Sequence, residues 1–298
     1  MSHGNIRQIL LLEPGKASLP KVFISCSPVE ELWWHHKNWY FVEAHDFEPI
    51  FTKKDGYRRI YVDLPGMGGS PVGSIKDLDS ILKSVSNFVE KHILPSNFLI
   101  IGTSCGAYIA RALAYRHASA IDGLLLRVPL VEPVTSKRDL DPFVPAISDE
   151  ALLSSLSGAD REKLGNITVQ TPEYIDIFRR KIEAIWLPAI TASDSAGLDS
   201  IRNDPSLYKL SATLHSRETP FFKPTLVLTG RQDTDVGYRD AWPLVTCYPR
   251  ATFVALDRAN HGLPIDETDL FEALVNDWLW RVEELRHHTL PLGDSSLT

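Results

Sequence analysis

The chain has 298 residues, 44% apolar and 23% charged, with a formal net charge of −7. That length can bury a substantial core, as one α/β domain or two. Lysines and arginines are scattered without a basic stripe, which argues against nucleic acid, and no apolar run approaches the roughly 18 residues that would span a membrane. The start, Met1-Ser2-His3-Gly4-Asn5, lacks the basic and apolar stretches of a signal peptide. Three cysteines, Cys26, Cys105 and Cys247, suit a reducing compartment better than a disulfide framework, so a cytoplasmic location is expected.

In chain order, Gln8 to Leu12 reads as an early edge strand ended by Pro14-Gly15. Apolar, strand-like runs follow at Val22 to Ile24, Arg59 to Asp63, Phe98 to Ile101, Gly123 to Val128, Thr225 to Leu228 and Ala251 to Leu256. Between them, Ile75 to Ile93 carries Leu78, Ile81, Leu82, Val85, Phe88 and Val89 at helical steps, and the stretch after Gly106 is an alanine-rich helix. A last helix, Thr268 to Arg286, has Phe271, Leu274, Val275, Trp278, Leu279, Val282 and Leu285 on one stripe that should dock on the sheet. The alternation predicts an α/β fold with a mostly parallel central sheet flanked by helices. The βα rhythm stops between Leu130 and about Phe222. There the patterns are helical, at Asp149 to Leu156, Asp160 to Leu164 and Pro172 to about Leu187, punctuated by prolines. Ninety residues are too many for a loop. We therefore divide the chain into a core, residues 1–129 and 223–298, and an inserted helical lid, residues 130–222. A packed extension with no role in any site is the plainer reading of that insert.

The most informative stretch is Gly102-Thr103-Ser104-Cys105-Gly106, a G-x-S-x-G sequence set between a strand and a helix. In that context the serine sits on a strained turn with its hydroxyl raised above the strand end. The Cys105 N–H then lies at a helix N-terminus, suited to an oxyanion. Two plainer readings compete: Ser104 as an ordinary helix N-cap, and Cys105 as the reactive group. The second is disfavoured because Thr103 and Ala107, not glycines, flank Cys105 at two residues' distance.

A serine needs a base, and the base needs a carboxylate to orient it. Of ten histidines, His261 leaves the end of the Ala251 to Leu256 strand in Asp257-Arg258-Ala259-Asn260-His261-Gly262. His287 and His288 read as solvated, His35 and His36 lack metal-ligand spacing, and His117 and His215 read as surface residues. The acid is Asp233, just past the Thr225 to Leu228 strand, with Asp235 as its rival. Either aspartate could instead cap the helix expected near Tyr238 to Val245.

Together these residues resemble the α/β-hydrolase fold superfamily. The elbow around Ser104, the acid in Gly230-Arg231-Gln232-Asp233 and the base in Asn260-His261-Gly262 appear in its order, and Asp63-Leu64-Pro65-Gly66-Met67-Gly68-Gly69-Ser70 is similar to its D-x-P-G-x-G-x-S loop. The likeness runs from about Val22 to Leu285 and is greatest to capped esterases and proline iminopeptidases. It departs at Ser25-Cys26-Ser27-Pro28, where such members carry His-Gly; by position, the Ser27 N–H is then the second oxyanion donor. The resemblance implies a serine hydrolase acting on a small to medium acyl ester or related carbonyl compound through Ser104, His261 and Asp233, with no metal and no organic cofactor. The partner is a small-molecule substrate, and a homodimer is compatible with the sequence. A proline-iminopeptidase-like activity would want an acidic anchor, for which the lid offers Glu173, Asp176, Glu183 and Asp194. A weakly catalytic ligand-binding member is the remaining alternative, supported by the altered Ser25-Cys26 loop.

Overall fold

A computed structural model describes residues 8–11, 21–26, 39–68, 70–188 and 194–289. Seven strands form one sheet: β1 (Gln8–Leu11), β2 (Lys21–Cys26), β3 (Tyr57–Val62), β4 (Phe98–Thr103), β5 (Ile121–Arg127), β6 (Thr225–Gly230) and β7 (Ala251–Leu256). Their spatial order is β1-β3-β2-β4-β5-β6-β7. Only β1 runs antiparallel, on the edge against β3. The other pairings are parallel.

β4 and β5 are buried along their whole length, as strands covered on both faces must be. Alternation still sorts the side chains. Ile60, Val62, Phe98, Ile100, Leu124, Leu126 and Val227 join one core cluster, and Tyr57, Tyr61, Leu99, Ile101, Leu125, Leu226 and Leu228 join the other. The first cluster packs under α2 (Leu78–His92) and α3 (Cys105–Arg116). The second packs under α1 (Trp39–Phe51) and the final helix, α10 (Thr268–Thr289). Within α10, Phe271, Val275, Trp278, Leu279 and Val282 are buried as the stripe predicts. A Cβ at Gly123 would lie 2.6 Å from the Val282 side chain, so that glycine lets the helix close on the sheet.

α2 starts three residues later than the periodicity suggests. Asp77 caps it, accepting from Ser80 N while the Ser80 hydroxyl takes the Asp77 N–H, and this capping box fixes the first turn. α1 is not assigned by the sequence reading. Its pattern is aromatic and interrupted by Pro49, but the proline falls near the C-terminal end, where a lost N–H bond costs little of the helix.

Between β5 and β6 the described chain has no sheet strand. It forms α4 (Glu150–Ser155), α5 (Gly158–Leu164), α6 (Pro172–Lys181) and α7 (Ser195–Arg202). Asp149, Ser157, Thr171 and Asp194 cap them in that order. α6 was expected to continue to Leu187; instead it passes into one π-helical turn, Ile182–Trp186. α7, unassigned on the sequence, packs Leu198 against Gly66. Leu164, Ile167, Ile175, Phe178 and Ile182 give the insert a small core of its own. Short helices α8 (Tyr238–Ala241) and α9 (Leu244–Cys247) follow β6. No helix among the described residues is long and apolar enough to cross a membrane.

Candidate active site

The strand order reverses at β2. From β2 the chain goes to β3 on one side and then crosses back to β4 on the other. Ligands of open α/β sheets bind beyond the carboxyl ends of the strands at such a switch point. Cys26 ends β2 directly beside Gly102 of β4, so the chain leaves these two strands side by side. Ser104 follows β4, and Asp233 and His261 follow β6 and β7 at the same end of the sheet. Ser27 lies outside the described residues, as do His35 and His36.

Ser104 has φ 56° and ψ −121°, a conformation that costs a non-glycine residue about 1–3 kcal/mol. Four neighbours hold it there. Its N–H donates to Arg127 O at 2.9 Å, and its carbonyl accepts from Ala107 N at 3.0 Å, Tyr108 N at 3.3 Å and Leu130 N at 3.1 Å. A Cβ at Gly102 would lie 2.4 Å from Gly106 O and 2.5 Å from Ala107 Cα, so helix α3 can pass this close only over a glycine. The simple N-cap reading fails on one observation: the Ser104 side chain makes no capping hydrogen bond. Its Oγ is buried and has no hydrogen-bond partner among the described residues. Cys105 is the first residue of α3 and is buried.

The carboxylate of Asp233 is only 3% exposed and is committed on both oxygens. Oδ1 accepts from Asp235 N at 2.8 Å and Val236 N at 3.0 Å, and Oδ2 lies 2.8 Å from His261 Nδ1. A carboxylate is an acceptor, so Nδ1 carries the proton and Nε2 of the neutral ring is left as the basic nitrogen. The rival Asp235 thus serves Asp233 through its backbone. Asp233, Asp235 and His261 have possible ligand atoms within 4.8 Å of one another. A cation there would have to compete with the N–H groups already on Asp233.

The loop carrying His261 is pinned from both sides. A Cβ at Gly230 would sit 2.3 Å from Ala259 O, and Gln232 N donates to that same carbonyl at 2.9 Å. From the insert, Thr168 Oγ1 and the Tyr174 hydroxyl donate to Asp266 Oδ1, while Asp266 Oδ2 accepts from Asn260 N at 3.0 Å. Asn260 Nδ2 in turn donates to Asn166 O at 2.9 Å. Burial pushes the Asp266 carboxyl above its ordinary range despite these donors. Above Gly262 sit Trp186 and Phe178, whose rings would be 3.2 and 3.6 Å from a Cβ there. The π turn therefore lies against the residue next to His261.

Sequence reasoning missed the buried ions beneath the elbow. Arg127, at the end of β5, donates to Thr103 Oγ1 at 3.0 Å, to Asp46 Oδ2 at 2.7 Å and to Glu43. One signal existed: an arginine closing the apolar run Gly123 to Val128. His215, expected at the surface, is buried. Its Nδ1 donates to Thr219 O at 2.7 Å, and its ring sits among Tyr115, Phe221 and Tyr248. His117 is half-buried.

A family model described as "Alpha/beta hydrolase family" matches residues 14–274. The chain belongs to the alpha/beta hydrolase family. It is similar to a pimeloyl-[acyl-carrier protein] methyl ester esterase of Shewanella sp. (strain MR-7), 28% identical over 255 residues that cover 80% of this chain and 87% of that protein. It is 24% identical over 247 residues to the enzyme of the same name from Legionella pneumophila (strain Corby), covering 80% and 90% of the two chains. An alpha/beta superfamily hydrolase from Oenococcus oeni PSU-1 superposes with a TM-score of 0.71 at 21% identity, covering 94% of this chain and 97% of that one. This alpha/beta hydrolase thus has the fold and the family its elbow suggests.

Proposed function

We propose that this alpha/beta hydrolase cleaves small to medium acyl esters through an acyl-enzyme, with Ser104 as nucleophile, His261 as base and Asp233 as its orienting acid. The observation that carries the reading is the strained, uncapped Ser104 at the end of β4, with the closed His261–Asp233 pair beyond β6 and β7. His261 Nε2 takes the Ser104 proton as Oγ attacks the carbonyl carbon, then returns it to the leaving alcohol. Water, deprotonated by the same nitrogen, releases the acid. The Cys105 N–H at the start of α3 is the first oxyanion donor, and Ser27, by its place after β2, the second. Ser104 Oγ has no hydrogen-bond partner among the described residues; in this reading its bond to His261 Nε2 forms as substrate tightens the site. The insert acts as a lid, its Trp186 and Phe178 supplying an apolar roof.

Two observations favour an ester over a peptide. The curated relatives named above are methyl ester esterases. Glu173, Asp176, Glu183 and Asp194 are all exposed; Asp176 pairs with Arg179 and Asp194 caps α7. None is a buried anchor for a substrate amine. The intact His261–Asp233 pair weighs against a mere binder.

The test is turnover of p-nitrophenyl esters from acetate to octanoate, with fluorophosphonate labelling. Wild type should turn over and label at Ser104, and S104A should do neither. An unreactive wild type, or an S104A variant as active as wild type, would overturn the reading.

A further inference from the structure

Four buried charges lie between the elbow and the lid. Glu43 and Asp46 come from α1, Arg127 from β5 and Lys181 from the end of α6. Each is at most 8% exposed. Arg127 joins the two carboxylates and Thr103, while its own carbonyl holds the Ser104 N–H. Its guanidinium also lies over the Phe47 ring at 5.4 Å. On the other side, Asp46 Oδ1 accepts from Lys181 Nζ and lies 3.3 Å from His45 Nδ1. Burial by itself would raise the Asp46 carboxyl, but Lys181, with His45 and Arg127, holds it far below the ordinary range.

The origin of the partners gives the arrangement its direction: Arg127 reaches Asp46 from the core, and Lys181 reaches it from the insert. With Lys181 withdrawn, Asp46 loses the ammonium on its Oδ1, and taking a partner from a buried charge is strongly unfavourable. Buried ion pairs seldom add net stability over apolar packing, and their best-attested use is to fix a register. Lys181 is followed at once by the π turn that carries Trp186 over Gly262. The geometry points to Lys181 as a positioning residue: seating its ammonium on Asp46 registers the lid on the core and, through Arg127 and Thr103, fixes the turn that presents Ser104. The effect on turnover rests on the hydrolase reading; the mechanical coupling does not.

A cavity of about 320 Å³ opens beside this contact, lined by Asp46, Lys181, Ala184, Ile185 and Phe271 among others. It admits a direct test. In K181A, kcat for p-nitrophenyl acetate should fall at least tenfold with KM changed less than threefold, since acetate is too short to depend on the lid roof. Added n-butylammonium should restore kcat saturably, and n-butanol, of the same bulk but uncharged, should not. Should K181A not fold, K181Q, close in bulk but uncharged, takes its place, with the same fall in kcat and the same small change in KM. Amide exchange at residues 102–106 reads the coupling without substrate: it should quicken in K181A and slow again with butylammonium. Unchanged exchange, wild-type kcat in K181A, or equal rescue by butanol would overturn the proposal. A wild type that fails to label with fluorophosphonate while exchange responds as described would end the hydrolase reading and leave the lid–elbow coupling standing.

Discussion

At the scale of single residues, the site is held by hydrogen bonds to its backbone and carboxylate, while the Ser104 hydroxyl is left without one among the described residues. Ser104 keeps an unfavourable backbone because its N–H and carbonyl are both held by neighbouring chain. Asp233 shows the opposite economy. Three donors saturate it, one of them the His261 Nδ1–H, so it holds the ring in one orientation. We expect D233N to retain the fold, since an amide oxygen can still accept the Asp235 and Val236 N–H groups. Its kcat should fall by on the order of 10³–10⁴, as the ring loses its fixed tautomer. Ester turnover beside a thermal melt checks this, and a D233N variant with near-wild-type kcat would remove Asp233 from the mechanism. The residues at this scale were readable in sequence because the chemistry demands an uncommon pattern. A serine between two glycines, after a strand and before a helix, has few other uses. Asp233 was favoured over Asp235 by nearness to a strand end; in the structure Asp233 carries the contact to His261, and Asp235 N donates to its carboxylate.

At the scale of elements, the parallel strands bring the three groups to one end of the sheet, and the insert packs against the loop of His261. The π turn at Ile182–Trp186 shifts the helix register where the lid meets the loop of His261; such turns are frequent at functional sites. Trp186 packs edge-on against Phe178 at 5.5 Å between ring centroids. Removing its indole should weaken the roof over longer acyl chains and leave the chemistry of short ones. W186A is therefore expected to lose roughly tenfold more in kcat/KM for octanoate than for acetate, a difference of about 1.4 kcal/mol. Equal losses across the ester series would show that this side chain does not contact substrate. Neither α1 nor the π turn could be seen in sequence. Pro49 breaks the expected helical pattern of α1, and a π turn leaves no periodic mark, because it depends on what the helix packs against.

At the scale of the whole molecule, stability and site share the buried ions. Asp46 titrates far lower folded than unfolded, where a carboxyl takes its proton near pH 3.9. Between those values the unfolded chain binds a proton that the native one does not. The contribution of Asp46 is therefore complete above that range and lost as the pH falls through it. Lys181, Arg127 and His45 face Asp46, so its protonation takes a counter-charge from Lys181 while Arg127 keeps Glu43. Melting temperature should drop as the pH falls from 5 to 2, and more shallowly in D46N than in wild type. Parallel curves would mean that other carboxylates govern acid unfolding.

The order strand, G-x-S-x-G turn, helix, then an acid and a histidine after two later strands, was enough to determine the fold class, the family and the three residues to test. Those features follow from local rules: period-two and helical patterning, and the small side chains that a tight turn requires. Long-range packing decided the rest. It placed Lys181 against Asp46, 135 positions away, buried His215 in an aromatic cluster, and set Trp186 beside Gly262. No local pattern encodes such contacts, because each depends on two surfaces that meet only once the sheet has formed and the insert has folded back over it.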